Sequence, residues 1–194
     1  MTRAAHDADP FGDVLAGTGQ HRREHSCWAY PFRDGPALGV LAGAMGATRI
    51  LELGTALGYT ACWFAHASPM ARVDTIERDP DHVRLARRNI DAFGFTDRVN
   101  VIHGDFADAL RQLAPGYDLA FFDGYAPSIA DLNKLRSLLR PRGVLISANL
   151  NLEGGEAVRT ALADPHRWLT APMLEDGRTH VSIAIGREDE SCTS

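Results

Sequence analysis

Lysine is almost absent from this 194-residue chain: of its twenty basic residues, nineteen are arginines and one is Lys134. The bias reads as codon usage in a GC-rich genome, yet it leaves any lysine-dependent chemistry a single candidate. Cysteine is scarce too, with Cys27, Cys62 and Cys192 far apart and no CxxC spacing. That excludes a disulfide framework and points to a reducing, cytoplasmic setting. No window approaches the ~18 consecutive apolar residues of a spanning helix, and residues 1–13 hold no apolar run of signal-peptide length. An excess of positive charge is also missing, since twenty basic against twenty-five acidic residues leave −5. Neither nucleic acid nor a membrane surface is therefore an expected partner.

What is present is the balance of a globular chain, 45% hydrophobic and 23% charged, of a length that suits one domain. From residue 50 onward, short apolar runs (50–53, 73–76, 99–103, 119–122 and 144–147) alternate with amphipathic stretches such as 81–92. Nearly continuous apolar runs are what strands buried on both faces require. Strands alternating with helices predict an α/β, doubly wound, mostly parallel sheet. Residues 1–48 read as a helical extension, with helices near 9–20 and 36–44, the second capped by Asp34. Two apolar runs at 168–173 and 180–185 flank Glu175-Asp-Gly177, a hairpin signal that ends the sheet with an antiparallel pair. The expected organisation is one domain over 1–194: a helical cap (1–48), a cofactor-binding core (49–187) and a disordered tail (188–194).

Four strand ends carry the chemistry. In Leu51-Glu-Leu-Gly-Thr-Ala-Leu-Gly-Tyr-Thr60 a strand gives way to a glycine turn and a helix N-terminus, whose free N–H groups receive a carboxylate or phosphate. Glu52, just before the turn, can accept from a ligand ammonium. Glu77 ends the second strand 19 residues after Gly58, where nucleotide folds grip ribose hydroxyls. Asp105 and Phe106 end the third, offering an acceptor for an adenine amino group and a ring to lie against it, although Asp105 also reads as a helix cap. Asp123 ends the fourth strand, at the switch point where ligands bind in such sheets.

Taken together, these positions resemble the class I S-adenosylmethionine-dependent methyltransferases, specifically the catechol and caffeoyl-CoA O-methyltransferase family. The matching motifs are residues 51–60, Thr75-Ile-Glu77, Tyr117-Asp-Leu-Ala-Phe-Phe-Asp123 and residues 139–149, within a resemblance spanning about 34–187. It implies a Rossmann-like seven-stranded sheet of order 3-2-1-4-5-7-6, a homodimer, and transfer of a methyl group from S-adenosylmethionine to a small phenolic or catechol-like hydroxyl acceptor. By the same resemblance, Glu52, Gly54, Thr55, Ala56, Gly58 and Thr60 surround the methionine end of the cofactor. Glu77 holds the ribose, Asp105 and Phe106 the adenine, and Asp123 and Tyr125 the region near the sulfonium, with Arg78 a further cofactor-binding residue.

The sequence departs from that family at two places. Its divalent metal uses an Asp after strand four and an Asp-Asn pair after strand five. Here Asp123 and Asn149 match, but the middle ligand falls on Ala148, so tight Mg²⁺ binding is not expected and no metal ligand is assigned. The family's catalytic lysine falls on Ala126, while Lys134 sits on the next predicted helix and is expected to face solvent. Three readings remain: a metal-free transferase using Asp123 or a histidine (His25, His103 or His180) as base, a displaced metal site recruiting Asn151 or Glu153, or a non-catalytic cofactor-binding protein. We take the first, since in-line displacement at a sulfonium gains much of its rate from positioning. An NAD-dependent oxidoreductase is disfavoured because Gly54-Thr-Ala-Leu-Gly58 lacks the middle glycine of GxGxxG. Residues 20–30 form a candidate lid in which Trp28 and Tyr30 wall an aromatic acceptor or, alternatively, pack the first helix on the core or a partner subunit.

Overall fold

The structure, a computed structural model, describes residues 9–125 and 127–185. The expected tail at 188–194 lies outside the described residues. Two helices, α1 (Gly12–His25) and α2 (Gly35–Ala44), precede an alternation of β1 (Arg49–Leu53), α3 (Tyr59–Ala67), β2 (Arg72–Glu77), α4 (Pro80–Ala92), β3 (Val99–His103), α5 (Phe106–Gln112), β4 (Tyr117–Phe122), α6 (Ile129–Leu138) and β5 (Leu139–Ser147). The chain then adds α7 (Gly155–Leu162), β6 (Trp168–Leu174) and β7 (Thr179–Ala184). The strands form one sheet of order β3-β2-β1-β4-β5-β7-β6. Pairing is parallel from β3 to β5, and β7 runs antiparallel to both β5 and β6. This is the doubly wound sheet with an antiparallel ending that the sequence predicts.

Strand alternation divides the core in two. Ile50, Leu119, Phe121 and Ile146 face the side covered by α1–α4, where Phe64 and Ile90 meet them. Leu51, Leu53, Leu145 and Phe122 face α5–α7 and Trp168. At the start of the sheet, Asp118 Oδ2 accepts from the N–H groups of Thr48 (2.6 Å) and Arg49 (2.9 Å), and Oδ1 pairs with Arg140 (2.5 Å). Burial works against this carboxylate's charge, but these donors hold its pKa below the ordinary value. This cluster ties the starts of β1, β4 and β5 together at the end of the sheet opposite the strand termini that carry the site.

Several boundaries move for identifiable reasons. The first helix runs over Gly12–His25 rather than 9–20, because Asp9 turns the chain before it: its Oδ1 accepts from Phe11 N–H at 2.9 Å. Asp34 precedes α2 without a side-chain cap; its carboxylate accepts instead from Glu175 N–H (3.3 Å) in the β6–β7 turn. By contrast, Asp79 does cap α4, accepting from Asp81 and His82 N–H with Pro80 at the first turn. The last two strands are joined at 175–177, where Glu175, Asp176 and Gly177 all take positive φ. Lys134 is partly buried on α6 rather than open to solvent. Among the described residues no helix is long and apolar enough to cross a membrane.

Candidate functional site

The C-terminal ends of β1–β5 converge on one edge of the sheet. After β1 the chain turns at Gly54, whose φ of 102° suits glycine and whose missing Cβ would stand 2.8 Å from the Asp123 carbonyl oxygen. This contact lets the β1 and β4 ends lie side by side. Helix α3 then starts after Gly58 with no side-chain cap, so its first N–H groups remain available to an anion.

Glu52 sits beneath this turn, fully buried. Its carboxyl accepts from the hydroxyls of Thr60 and Thr75, the latter at 2.5 Å. Thr55 in turn bonds Thr75 at 2.6 Å. Burial pushes the Glu52 pKa up to about 7, with the charge of Glu77 adding to the rise and the two hydroxyls opposing it. Glu77, at the end of β2, accepts from Ala56 N–H and Asp79 N–H, both at 2.9 Å, and so clasps the glycine turn to the start of α4. Arg78 is exposed, its carbonyl lying 3.1 Å from His103 Nε2.

Asp105, exposed, caps α5 through Ala107 N–H at 3.0 Å. Phe106 lies against Gly124, where an added Cβ would approach its ring to 2.4 Å. Asp123 follows β4 and is partly buried. Its Oδ1 accepts from Asn149 Nδ2 at 3.1 Å, and the same amide donates to Gly124 O at 3.0 Å. Burial, the nearby Glu52 and Glu175 carboxylates raise the Asp123 pKa well above the usual aspartate range, against the lowering effect of Asn149. Glu175, named from sequence only for the hairpin turn, and Thr75, named only within a matching motif, carry no site role in the sequence reading. Thr75 is readable from the register, being the β2 partner of Glu52; Glu175 arrives from the distant hairpin turn.

The donor set for a family-type metal does not fit. Ala148, at the middle position, is a buried methyl group, and Asn149 directs its amide donor toward Asp123. One carboxylate and one amide fall short of the oxygen-rich shell a hard dication takes. Asn151 and Glu153 are exposed, and among the described residues no cluster of three or more His, Cys, Asp or Glu residues includes Glu153 or Asp123. Beside Asp123 stands an aromatic group: the Trp28 and Tyr125 rings are 5.4 Å apart, and Trp28 and Tyr30 are 6.4 Å apart. Trp28 is 68% and Tyr125 60% exposed, so Trp28 does not pack α1 on the core.

A doubly wound sheet of this order, with a glycine turn and an acid at each of four strand ends, defines a Rossmann-like methyltransferase fold. The sequence matches the family described as "Methyltransferase domain" over residues 51–149, just over half of the chain, and the protein belongs to that family. It is 38% identical over 129 residues to a catechol O-methyltransferase of Mycobacterium tuberculosis, covering 66% of this chain and 59% of that protein. It is 35% identical over 137 residues to another from Niastella koreensis, covering 68% and 62%. The matched part thus spans about three-fifths of each relative's length. Among solved structures, an O-methyltransferase from Bacillus cereus in complex with SAH superposes with a TM-score of 0.76 at 25% identity, covering 92% of this chain and 93% of that one.

Proposed function

We propose that the protein is an S-adenosylmethionine-dependent O-methyltransferase, a single domain acting on a small phenolic or catechol-like hydroxyl without the family's metal. The observation that carries this reading is the pairing of Glu77 with the glycine turn through Ala56 N–H. It fixes an acceptor for ribose hydroxyls beside the uncapped N-terminus of α3, which suits the cofactor's carboxylate. Glu77 brings a carboxylate to the crevice, and Asp123 and the buried Glu52 add acceptor oxygens on either side of the glycine turn. Asp105 and Phe106 provide the adenine end, and the catechol O-methyltransferases among the relatives support the choice of acceptor.

Held by these residues, S-adenosylmethionine would supply an electrophilic methyl group for in-line transfer to the acceptor oxygen, the sulfur keeping the bonding pair as leaving group and the acceptor hydroxyl giving up its proton. In this chain Asp123 is the group to receive that proton. Its raised pKa makes it a stronger base than an ordinary carboxylate. Asn149 holds it in place. Trp28, Tyr30 and Tyr125 offer flat apolar faces to an aromatic acceptor and exclude water from it. The reading includes a reducing cytoplasmic location, supported by the free thiols Cys27 and Cys62. It also includes a homodimer, for which the exposed Val40, Leu169 and Met173 offer apolar surface.

Calorimetry with S-adenosylhomocysteine, followed by methylation assays on catechols with and without added Mg²⁺, tests the whole. Binding that weakens about 10–100-fold in Glu77→Ala, the loss of hydrogen bonds to a charged group, and turnover indifferent to Mg²⁺ are expected. Absence of binding heat would sink the cofactor assignment, and strict Mg²⁺ dependence would sink the metal-free mechanism.

A further inference from the structure

Away from the crevice, three side chains from separate elements meet where the N-terminal arm crosses the start of α4. Helix α1 is stopped by Ser26 in the left-handed conformation (φ 51°). That reversal brings Cys27 back beside His21 on the last turns of the helix. His82 reaches them from the first turn of α4. The His21 and His82 rings lie 5.2 Å apart, edge to face. One ligand atom from each of His21, Cys27 and His82 can be chosen so that all lie within 4.8 Å of one another.

His82 makes this more than proximity. It is only 4% exposed, and its Nε2 is buried without a hydrogen-bond partner. The nearest carboxylate oxygen to that nitrogen, on Asp79, is 4.0 Å away, and Glu77 Oε1 stands 3.8 Å from Nδ1. A buried polar atom left unpaired costs about 1–3 kcal/mol, so native structures rarely keep one without a reason. The thiol of Cys27 and an imidazole nitrogen of His21, each within 4.8 Å of a His82 ring nitrogen, supply such a reason.

We propose that His21, Cys27 and His82 form a binding site for a borderline-soft divalent metal ion, Zn²⁺ by its donor set, that fastens the N-terminal arm to α4. One thiolate and two imidazoles are the nitrogen and sulfur ligands Zn²⁺ takes, leaving a fourth position for water. Tetrahedral Zn²⁺ holds such atoms roughly 3.3–3.6 Å apart, so the three side chains close inward by about an ångström on loading. The site is separate from the oxygen donors Asp123 and Asn149 and does not rest on the methyltransferase reading.

The surroundings set its behaviour with pH. Burial and the neighbouring His25 and His82 keep the His21 pKa below its ordinary value, so that ring is a ready ligand. Glu77 holds His82 in its charged form, raising its pKa to about 9 with Cys27 and Asp79 contributing and burial opposing. Metal must displace that proton, so affinity rises with pH. Glu77 Oε1, 3.8 Å from His82 Nδ1, is placed to hold the ring in position from the side away from the metal. The metal thereby couples the arm that carries Trp28 and Tyr30 to the acid that clasps the glycine turn.

The test uses untagged, metal-stripped full-length protein titrated with Co²⁺. One equivalent is expected to give the visible bands of tetrahedral Co²⁺ and a near-ultraviolet thiolate-to-metal band, both bleached by Zn²⁺. Cys27→Ser, a small change at a partly buried position, loses the thiolate band and weakens binding by more than about tenfold. Asp123→Asn keeps both signals. Amide exchange of residues 21–30 slows on adding Zn²⁺ to the wild type and not to Cys27→Ser. A folded wild type without the thiolate band, or a band that survives Cys27→Ser, overturns the proposal. S-adenosylhomocysteine binding by metal-free protein, measured in parallel, keeps that outcome distinct from failure of the cofactor site.

Discussion

The two halves of the crevice are built on different terms. On the β1–β2 side both acids are engaged, Glu52 by two threonine hydroxyls and Glu77 by two backbone N–H groups, and the turn is held by contact with the β4 end. On the β4–β5 side Asp123 has one side-chain hydrogen bond among the described residues, from Asn149. The aromatic rings beside it are largely open. The first half is preorganised for a ligand of fixed shape. The second leaves its acceptor to be selected by loops, where binding specificity usually resides.

Substitutions that cross this divide should break the contrast most. Gly54→Val places a branched side chain at φ 102° and against the Asp123 carbonyl. Backbone strain of about 1–3 kcal/mol adds to the clash, so both thermal stability and cofactor affinity should collapse in calorimetry, joining the two halves in one failure. Glu52→Gln tests the buried side alone. In the fold Glu52 titrates near 7 rather than 4.5, so the native state binds this proton more tightly than the unfolded chain. Stability therefore falls as pH rises through that window and levels above it. Denaturant titrations should find Glu52→Gln more stable than wild type at pH 8, by up to about 3 kcal/mol, with the gap narrowing toward pH 5.

Ala148→Asp sharpens the other side. Restoring a carboxyl between Asp123 and Asn149 should create a Mg²⁺ response in turnover, while the added buried group lowers stability by about 1–3 kcal/mol. Turnover that ignores Mg²⁺ in this variant would show that more than one missing ligand separates the site from its relatives. The smallest effect belongs to Trp28→Ala. An exposed ring that contributes stacking of about 0.5–1.5 kcal/mol should raise KM for a catechol roughly 2–12-fold and leave S-adenosylhomocysteine affinity unchanged.

The same division governs what could be read from sequence. Strands buried on two faces have to be apolar throughout, so the central β1 and β4 announce themselves. The edge strand β3, with Asn100 exposed, keeps a shorter apolar pattern, and the acids stand at or beside the strand ends. Helix α4 is equally plain, with Asp79 and Pro80 at its start and Val83, Ala86 and Ile90 along one side. Helix α1 buries only Val14 and Thr18, and such weak patterning leaves its limits to tertiary contacts. Asp34 looks like a cap until the β6–β7 turn arrives to take its carboxylate. Glu175 beside Asp123, and Cys27 between His21 and His82, are products of chain reversals that no local pattern encodes.

The solitary lysine has a further use. Lys134 lies on α6, which packs on the sheet face opposite the one that α1 and α4 cover. Besides the α-amino group, whose lower pKa lets it be blocked first near neutral pH, an amine-reactive dye has one side chain to find in this sequence, on a helix that belongs to neither the arm nor the glycine turn. It gives a built-in fiducial mark, so that energy transfer to a second probe on residues 21–30 reads the distance between the arm and the opposite face of the sheet.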